Sequence, residues 1–249
     1  MAVTIKSPRE IELMREAGRI LAKTHEELAK NLRPGMSTWD IDHMGEEIIR
    51  SYGCIPSFKN YNGYPASICV SVNDEVVHGI PHKEHFLDEG DIVSLDAGVI
   101  YKGYHSDAAR TYGIGEIDDD AKKLIEVTRQ SFFEGIKFAK AGNHLYDISA
   151  AIGNYAESFG YGVVRDLVGH GIGSHLHEDP EIPNFARKRK GILLQPGMTL
   201  AIEPMITEGS YEVVWLDDDW TVMTEDGGWA AHYENTILIT EGEPEILSL

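Results

Sequence analysis

Leu87-Asp88-Glu89-Gly90-Asp91-Ile92-Val93-Ser94-Leu95-Asp96 and Leu194-Gln195-Pro196-Gly197-Met198-Thr199-Leu200-Ala201-Ile202-Glu203 share one pattern: a turn around a glycine, a short apolar run, and a carboxylate at its end. They are offset by 107 positions (203 − 96). The same offset lays Gly35-Met36-Ser37-Thr38-Trp39-Asp40-Ile41 over Gly142-Asn143-His144-Leu145-Tyr146-Asp147-Ile148, and Ser51-Tyr52-Gly53 over Ser158-Phe159-Gly160. One offset shared by separate segments is the mark of an internal duplication. The expectation is a single domain over 1–249 made of two α+β halves, approximately 8–115 and 116–249. Facing each other across an approximate two-fold axis, the halves would bring Asp96 and Glu203 to a shared central cleft.

Around these stretches the punctuation is consistent. Ser7-Pro8-Arg9-Glu10 is a capping box with proline at the first helical position. Ile11, Met14, Ala17, Leu21, Leu28 and Leu32 then form one apolar stripe, until Pro34-Gly35 stops it. A second helix is predicted from Thr38 to Tyr52. A β-rich run follows at 67–72, then a strand pair over 91–99 and 103–112. The cycle restarts with helices from Asp118 to about Lys140 and from Leu145 to Phe159, followed by strands.

The 249 residues are 42% hydrophobic, enough for a full core. Against 22 Lys and Arg stand 41 Asp and Glu, a net charge of −19 that repels a phosphate backbone and argues against DNA binding. The start MAVTIKSPRE lacks an apolar signal core, and no stretch approaches the roughly 18 apolar residues of a membrane span. A cytoplasmic protein without a membrane anchor is expected. Cys54 and Cys69 form neither a disulfide framework nor a metal knuckle. Any metal must therefore be held by histidines and carboxylates.

Asp96 and Glu203 both end apolar runs, and a buried ionised carboxylate requires a basic partner, a proton or a metal. Few Lys or Arg lie nearby in sequence. Asp107 is spaced so that a hairpin across Tyr101-Lys102-Gly103 would set it opposite Asp96, although one such aspartate alone reads as a turn residue. In Gly169-His170-Gly171-Ile172-Gly173-Ser174-His175-Leu176-His177-Glu178, glycines allow close backbone approach and three imidazoles crowd together. His170, between glycines, is the best ligand candidate there, and His175 reads as an ordinary core or surface histidine. Glu234 opens the apolar run 235–239. Four carboxylates and one imidazole form a hard donor set suited to Mn, Fe or Co. Two such ions about 3.5–4 Å apart would activate a shared water for hydrolysis of a carbonyl compound.

The sequence resembles the type I methionine aminopeptidases of the M24 metallopeptidase family along essentially its whole length. The resemblance rests on Asn60-Tyr61-Asn62-Gly63-Tyr64-Pro65, Val77-His78-Gly79-Ile80-Pro81, Asp96, Asp107, Gly169-His170-Gly171-Ile172-Gly173 with His177-Glu178, Ile202-Glu203-Pro204-Met205 and Glu234-Asn235-Thr236. It implies the α+β pita-bread fold, two pseudo-symmetric halves around a dinuclear metal cleft. It also implies removal of N-terminal methionine from peptides and nascent chains with a small, uncharged second residue. The implied cofactors are two divalent ions (Co, Mn, Fe or Zn) held by Asp96, Asp107, His170, Glu203 and Glu234, with a bridging hydroxide as nucleophile. Glu203 would shuttle the proton, His177 would stabilise the tetrahedral oxygen, and His78 would bind the amide nitrogen of the second residue. The methionine pocket maps onto Phe58, Tyr61, Tyr64, Cys69, His78, Leu176 and Trp220, residues that ordinary core packing would equally explain. Two positions depart from the family pattern, which has a small residue, often Cys, at 58 and an aromatic at 176.

Arg187-Lys188-Arg189-Lys190 is the one dense basic run, either a solvated loop or a transient contact with ribosomal RNA. Asp217-Asp218-Asp219 either faces solvent or narrows the cleft. The chain is expected to act as a monomer. An Xaa-Pro dipeptidase of the same fold is the competing enzyme reading. Length counts against it, because those relatives carry a large extra N-terminal domain. A peptide-binding module would have lost metal ligands, and all five are present.

Overall fold

The computed structural model describes residues 3–249. Helix α1 (Pro8–Asn31) begins at the Ser7/Glu10 capping box and buries Met14, Ala17, Leu21 and Leu28, the expected stripe. Helix α2 (Thr38–Ser51) starts at a second capping box, Ser37/Asp40. After β1 (Ile55–Pro56) and a 3-10 turn at Tyr61–Gly63 come β2 (Ile68–Val72), β3 (Glu75–Val77) and the long hairpin β4 (Ile92–Tyr101) and β5 (Tyr104–Gly113). Lys102 and Gly103 both have positive φ, the two-residue turn whose twist matches a hairpin. Both strands start one residue later than predicted and run further, because backbone pairing continues to Tyr101 opposite Tyr104.

The second half repeats the plan with α3 (Asp119–Ile136) and α4 (Leu145–Ser158). Helix α3 stops short of the predicted Lys140, since Phe138 and Ala139 donate to Gly135 and Ile136 and tighten the chain into turns. The strands are β6 (Gly162–Val163), β7 (Gly169–Gly171), β8 (Glu178–Ile182), β9 (Thr199–Ile202), β10 (Met205–Thr207), β11 (Val213–Trp215), β12 (Val222–Thr224), β13 (Ala230–His232), β14 (Asn235–Leu238) and β15 (Glu245–Ile246).

Sheet β1-β4-β2, extended by β5, belongs to the first half, and β15-β14-β9-β7-β8 to the second. Helices α1 and α2 cover the first sheet through Leu21, Leu28, Ile41 and Ile49 against Val70, Leu95 and Ala97. Phe132, Ile148 and Ile152 cover the second against Leu200, Ile202 and Ile237. The halves use the same local hydrogen bonds. Gly35 donates to Leu87 as Gly142 does to Leu194, and Ser37 bridges Phe86 as His144 bridges Leu193. Each of these pairs is separated by the offset seen in the sequence. A third sheet, β11-β12-β3, ties a long excursion of the second half to the first.

Candidate metal centre

The hairpin and the second sheet deliver the candidate residues to one place. Asp96 pairs with Ala109 and Asp107 with Gly98 in the β4–β5 register, so the two aspartates share a face as diagonal neighbours. They are not directly opposed as predicted, since the hairpin turn sits one residue further along. Asp107 is anchored from the other half: its N–H donates to Thr236 Oγ1 at 2.8 Å, and that hydroxyl donates to the Asp107 carbonyl at 3.0 Å. Glu203 follows β9, and Glu234 immediately precedes β14, its N–H donating to the Ala109 carbonyl at 3.0 Å. His170 lies in the middle of β7, paired with Ala201. Its Nδ1 donates to the Gly171 carbonyl at 2.9 Å, which leaves Nε2 facing the carboxylates. Nε2 lies 3.6 Å from Glu203 Oε1 and 3.8 Å from Asp107 Oδ2.

Donor atoms of Asp107, His170 and Glu234 all lie within 4.8 Å of one another. Oxygens of Asp96, Asp107 and Glu234 are buried without a hydrogen-bond partner. Burial pushes Asp96 up to about 7. Burial first, then the neighbouring carboxylates, holds Asp107, Glu203 and Glu234 well above the usual carboxylate range. Burial also lowers His170 to about 3, so its imidazole is neutral. Four acids that repel one another, bare oxygens and a neutral imidazole lone pair fit a divalent-cation site, because a cation removes the repulsion and satisfies the oxygens together.

A cavity of about 170 Å³ opens onto these five side chains. All thirteen residues singled out in the sequence line it, together with Asn62. His177 Nδ1 lies 2.7 Å from the Tyr61 hydroxyl, and its ring packs at 4.2 Å against that of His170. His78, held at φ +60, is lowered to about 4 by burial and by His177. It meets Trp220 edge-on, and Trp220 in turn meets Tyr64. The Tyr64 hydroxyl is engaged by the Gly79 carbonyl at 2.9 Å, which presents its ring to the cavity. Phe58 and Leu176 are buried in one apolar cluster with Tyr64 and Cys69. Asp217, Asp218 and Asp219 are exposed to solvent. Asp218 accepts from the Trp220 and Thr221 N–H groups at 2.8 Å and so shapes the turn that presents Trp220.

Three supporting residues escaped the sequence reading. Arg110 donates to the carbonyls of Ala109 and Glu234, to Asn235 Oδ1 and to the Ser248 carbonyl, and stacks 4.4 Å from the Tyr233 ring centre. Its guanidinium thus clamps the backbone beside two strands that carry ligands. Thr236 anchors Asp107. His232, fully buried, has Nε2 4.0 Å from Glu203 Oε2. All three contacts span more than a hundred positions or cross strand ends, where no periodicity signals them.

A profile for metallopeptidase family M24 matches residues 12–241. The chain belongs to metallopeptidase family M24. Among its relatives, this M24 chain is 56% identical to a methionine aminopeptidase of Clostridium acetobutylicum, over 99% of both chains. It is 53% identical to methionine aminopeptidase 1 of Bacillus subtilis, again over 99% of both. The crystal structure of a methionine aminopeptidase from Thermotoga maritima superposes with a TM-score of 0.97 at 48% identity, covering 99% of each chain. An Xaa-Pro dipeptidase from Bacillus anthracis shares the fold at a TM-score of 0.79 and 28% identity, with 61% of that longer chain covered. The M24 chain therefore has the pita-bread fold and is a metallo-exopeptidase that uses a divalent metal.

Proposed function

We propose that the chain removes the N-terminal methionine of peptides and nascent proteins, preferring a small, uncharged second residue. The observation that carries the proposal is the convergence of five metal-ligand candidates and an apolar, sulfur-tolerant pocket on one small cavity. The chain would work as one catalytic domain over 1–249, its halves meeting near residue 115; residues 1–2 lie outside those described.

Asp96, Asp107, His170, Glu203 and Glu234 would hold two divalent ions, with Mn, Fe or Co favoured over Zn by the oxygen-rich set. Bound there, the ions supply Lewis acidity and lower the pKa of water toward neutrality. Glu203, held well above the usual carboxylate range by burial and then by Asp96, is suited to take a proton and return it to the leaving amine. His177, oriented by Tyr61, would donate to the oxygen of the tetrahedral intermediate. His78, kept neutral by burial, would bind the amide nitrogen of the second residue. Phe58, Tyr61, Tyr64, Cys69, Leu176 and Trp220 would enclose the methionine thioether. The larger residue at 58 and the smaller one at 176 share one apolar cluster, so their volumes offset each other.

The reading places a monomeric enzyme in the cytoplasm, where nascent chains arise. Its two buried, unpaired cysteines accord with that compartment. No helix among the described residues is long and apolar enough to cross a membrane. The exposed run Arg187–Lys190 is the surface suited to a transient ribosomal RNA contact.

Amino-acid release from Met-Ala-Ser, N-formyl-Met-Ala-Ser and Ala-Pro by chelator-stripped protein, before and after addition of Mn or Co, tests the proposal. Metal-dependent cleavage of Met-Ala-Ser alone is expected. Cleavage of Ala-Pro would transfer the chain to the dipeptidase branch, and no cleavage with any metal would leave a peptide-binding module.

A further inference from the structure

The segment ahead of α1 crosses from the first half to the second. Lys6 N–H donates to the Gly197 carbonyl at 2.8 Å, and Ile5 packs at the same glycine. From there the Lys6 ammonium reaches Glu178 Oε2 at 2.6 Å, with both side chains only 5% exposed. The Thr4 hydroxyl donates to the same oxygen at 2.7 Å and also contacts the ammonium. Glu178 uses its other oxygen, Oε1, to accept the His175 N–H at 3.2 Å.

Glu178 is the first residue of β8, and β7 ends at Gly171. Ile172 is still tied to Thr199 by two hydrogen bonds. Residues 173–177, which include Leu176 and His177, therefore join the two strands outside the ladder, and their shape is set by a small group of contacts, among them the Gly173 N–H donating to the His175 carbonyl at 3.0 Å and Leu176 buried in the apolar cluster. The Tyr61 hydroxyl holds His177 from the cavity side, His105 N–H holds the Gly173 carbonyl, and the Lys6–Glu178 pair holds the loop from behind. Space is closed there as well: a Cβ on Gly173 would fall 2.4 Å from Lys6 Cε and 2.6 Å from Glu178 Oε1.

A buried ion pair is a poor device for stability alone, because an apolar pair of similar volume serves as well or better. Its particular property is direction. Charge-assisted hydrogen bonds fix donor and acceptor within a narrow geometry, and the residue fixed here is joined directly to His177.

We propose that Lys6 is a positioning residue for catalysis, acting through Glu178 to hold the loop that presents His177 and Leu176 to the substrate. The proposal rests on the methionine aminopeptidase reading for the role of His177. Removing the ammonium lets the loop relax, displaces the His177 donor and lowers kcat, while the metal-ligand candidates, which lie in or directly beside paired strands, keep their places.

The test compares Lys6→Met, Lys6→Arg, Glu178→Gln and the double variant Lys6→Met/Glu178→Leu. Wild type must first release methionine from Met-Ala-Ser with Mn; failure at this step refutes the functional reading and says nothing against the loop anchor. Given active wild type, Lys6→Met and Glu178→Gln are expected to lower kcat about tenfold. KM and Mn affinity by calorimetry should stay within about twofold. Lys6→Arg should recover most of the rate. The double variant should regain thermal stability without regaining kcat. Unchanged kcat in folded Lys6→Met, or recovery of kcat together with stability in the double variant, would overturn the proposal.

Discussion

In the first half, Thr111 accepts the His232 N–H at 2.9 Å and donates to the His232 carbonyl at 3.0 Å; in the second, Thr236 makes the same two bonds to Asp107, at 2.8 and 3.0 Å. The frames match, and the residues they present do not. Ser94 pairs with Ser71 and Thr111, as Ala201 pairs with His170 and Thr236. By that register Asp96 corresponds to Glu203, Asp107 to His232, Ala109 to Glu234 and Ser71 to His170. A two-fold frame thus offers four pairs of equivalent positions, and in only one pair are both members carboxylates. The centre is asymmetric because the halves diverged at the mate positions while keeping the backbone bonds.

The largest expected effect breaks the comparison at those positions. Asp107→Ala and Glu234→Ala should each lower methionine release from Met-Ala-Ser at saturating Mn by at least roughly a thousandfold. Retained activity in either variant would show that the divergence has no functional weight.

Next in size is the cation itself. Thermal denaturation with Mn at about 100 times its Kd should show the chelator-stripped protein stabilised by about 2.7 kcal/mol. At one fixed Mn concentration the gain should grow from pH 6 to pH 8. The four carboxylates lie above their usual range, so at lower pH they bind protons that the metal must displace. A gain that shrinks as pH rises would contradict this account of the site.

Thr111→Val and Thr236→Val sharpen the comparison. Each removes a hydroxyl that satisfies two buried backbone groups and should cost about 1–3 kcal/mol in urea denaturation. The costs should be alike because the frames are alike. Only Thr236→Val should also weaken Mn binding, since its partner is the proposed ligand Asp107 rather than His232.

The smallest effect concerns two acids that follow the equivalent strands β2 and β7. Burial works against Glu178, yet hydrogen bonds from Lys6 and Thr4 hold it below the usual carboxylate range. Burial pushes Glu75 up to about 7, with only the Val72 N–H to offset it. Its folded-state pKa exceeds the unfolded value, so the native state binds the extra proton and stability falls as pH rises from about 4.5 through 7. Glu75→Gln should therefore stabilise the protein by about 1 kcal/mol at pH 8, after allowance for its partial exposure. At pH 4.5 it should have no effect. Equal gains at both pH values would mean that packing rather than charge is responsible.

The helices, their capping boxes, the hairpin and the five metal-ligand candidates were legible in the sequence itself, because periodicity, caps, glycines and carboxylates at strand ends are local signals, whereas eight further lining residues took their roles only from the family resemblance. The duplication was legible up to Glu203. Past that point β10 and β13 continue the equivalent hairpin, Met205 opposite His232 as Gly98 is opposite Asp107, and β11 and β12 with their loops occupy the place where the first half has a two-residue turn, so the shift from Thr111 to Thr236 is 125 (236 − 111) and Asp107 no longer falls on its mate. Sliding the chain at one offset cannot see through that insertion. The contacts made by Lys6, Arg110, Thr236 and His232 stayed invisible for a related reason. Each residue is of an ordinary type whose meaning comes from a partner far away in the chain, and only the packed sheets bring the two together. From the sequence come the side-chain types that could bind a cation, carboxylates at strand ends and an imidazole between glycines. Tertiary structure alone decided which of them meet and what holds them in place, since desolvation and hydrogen-bond geometry exist only once the halves have closed.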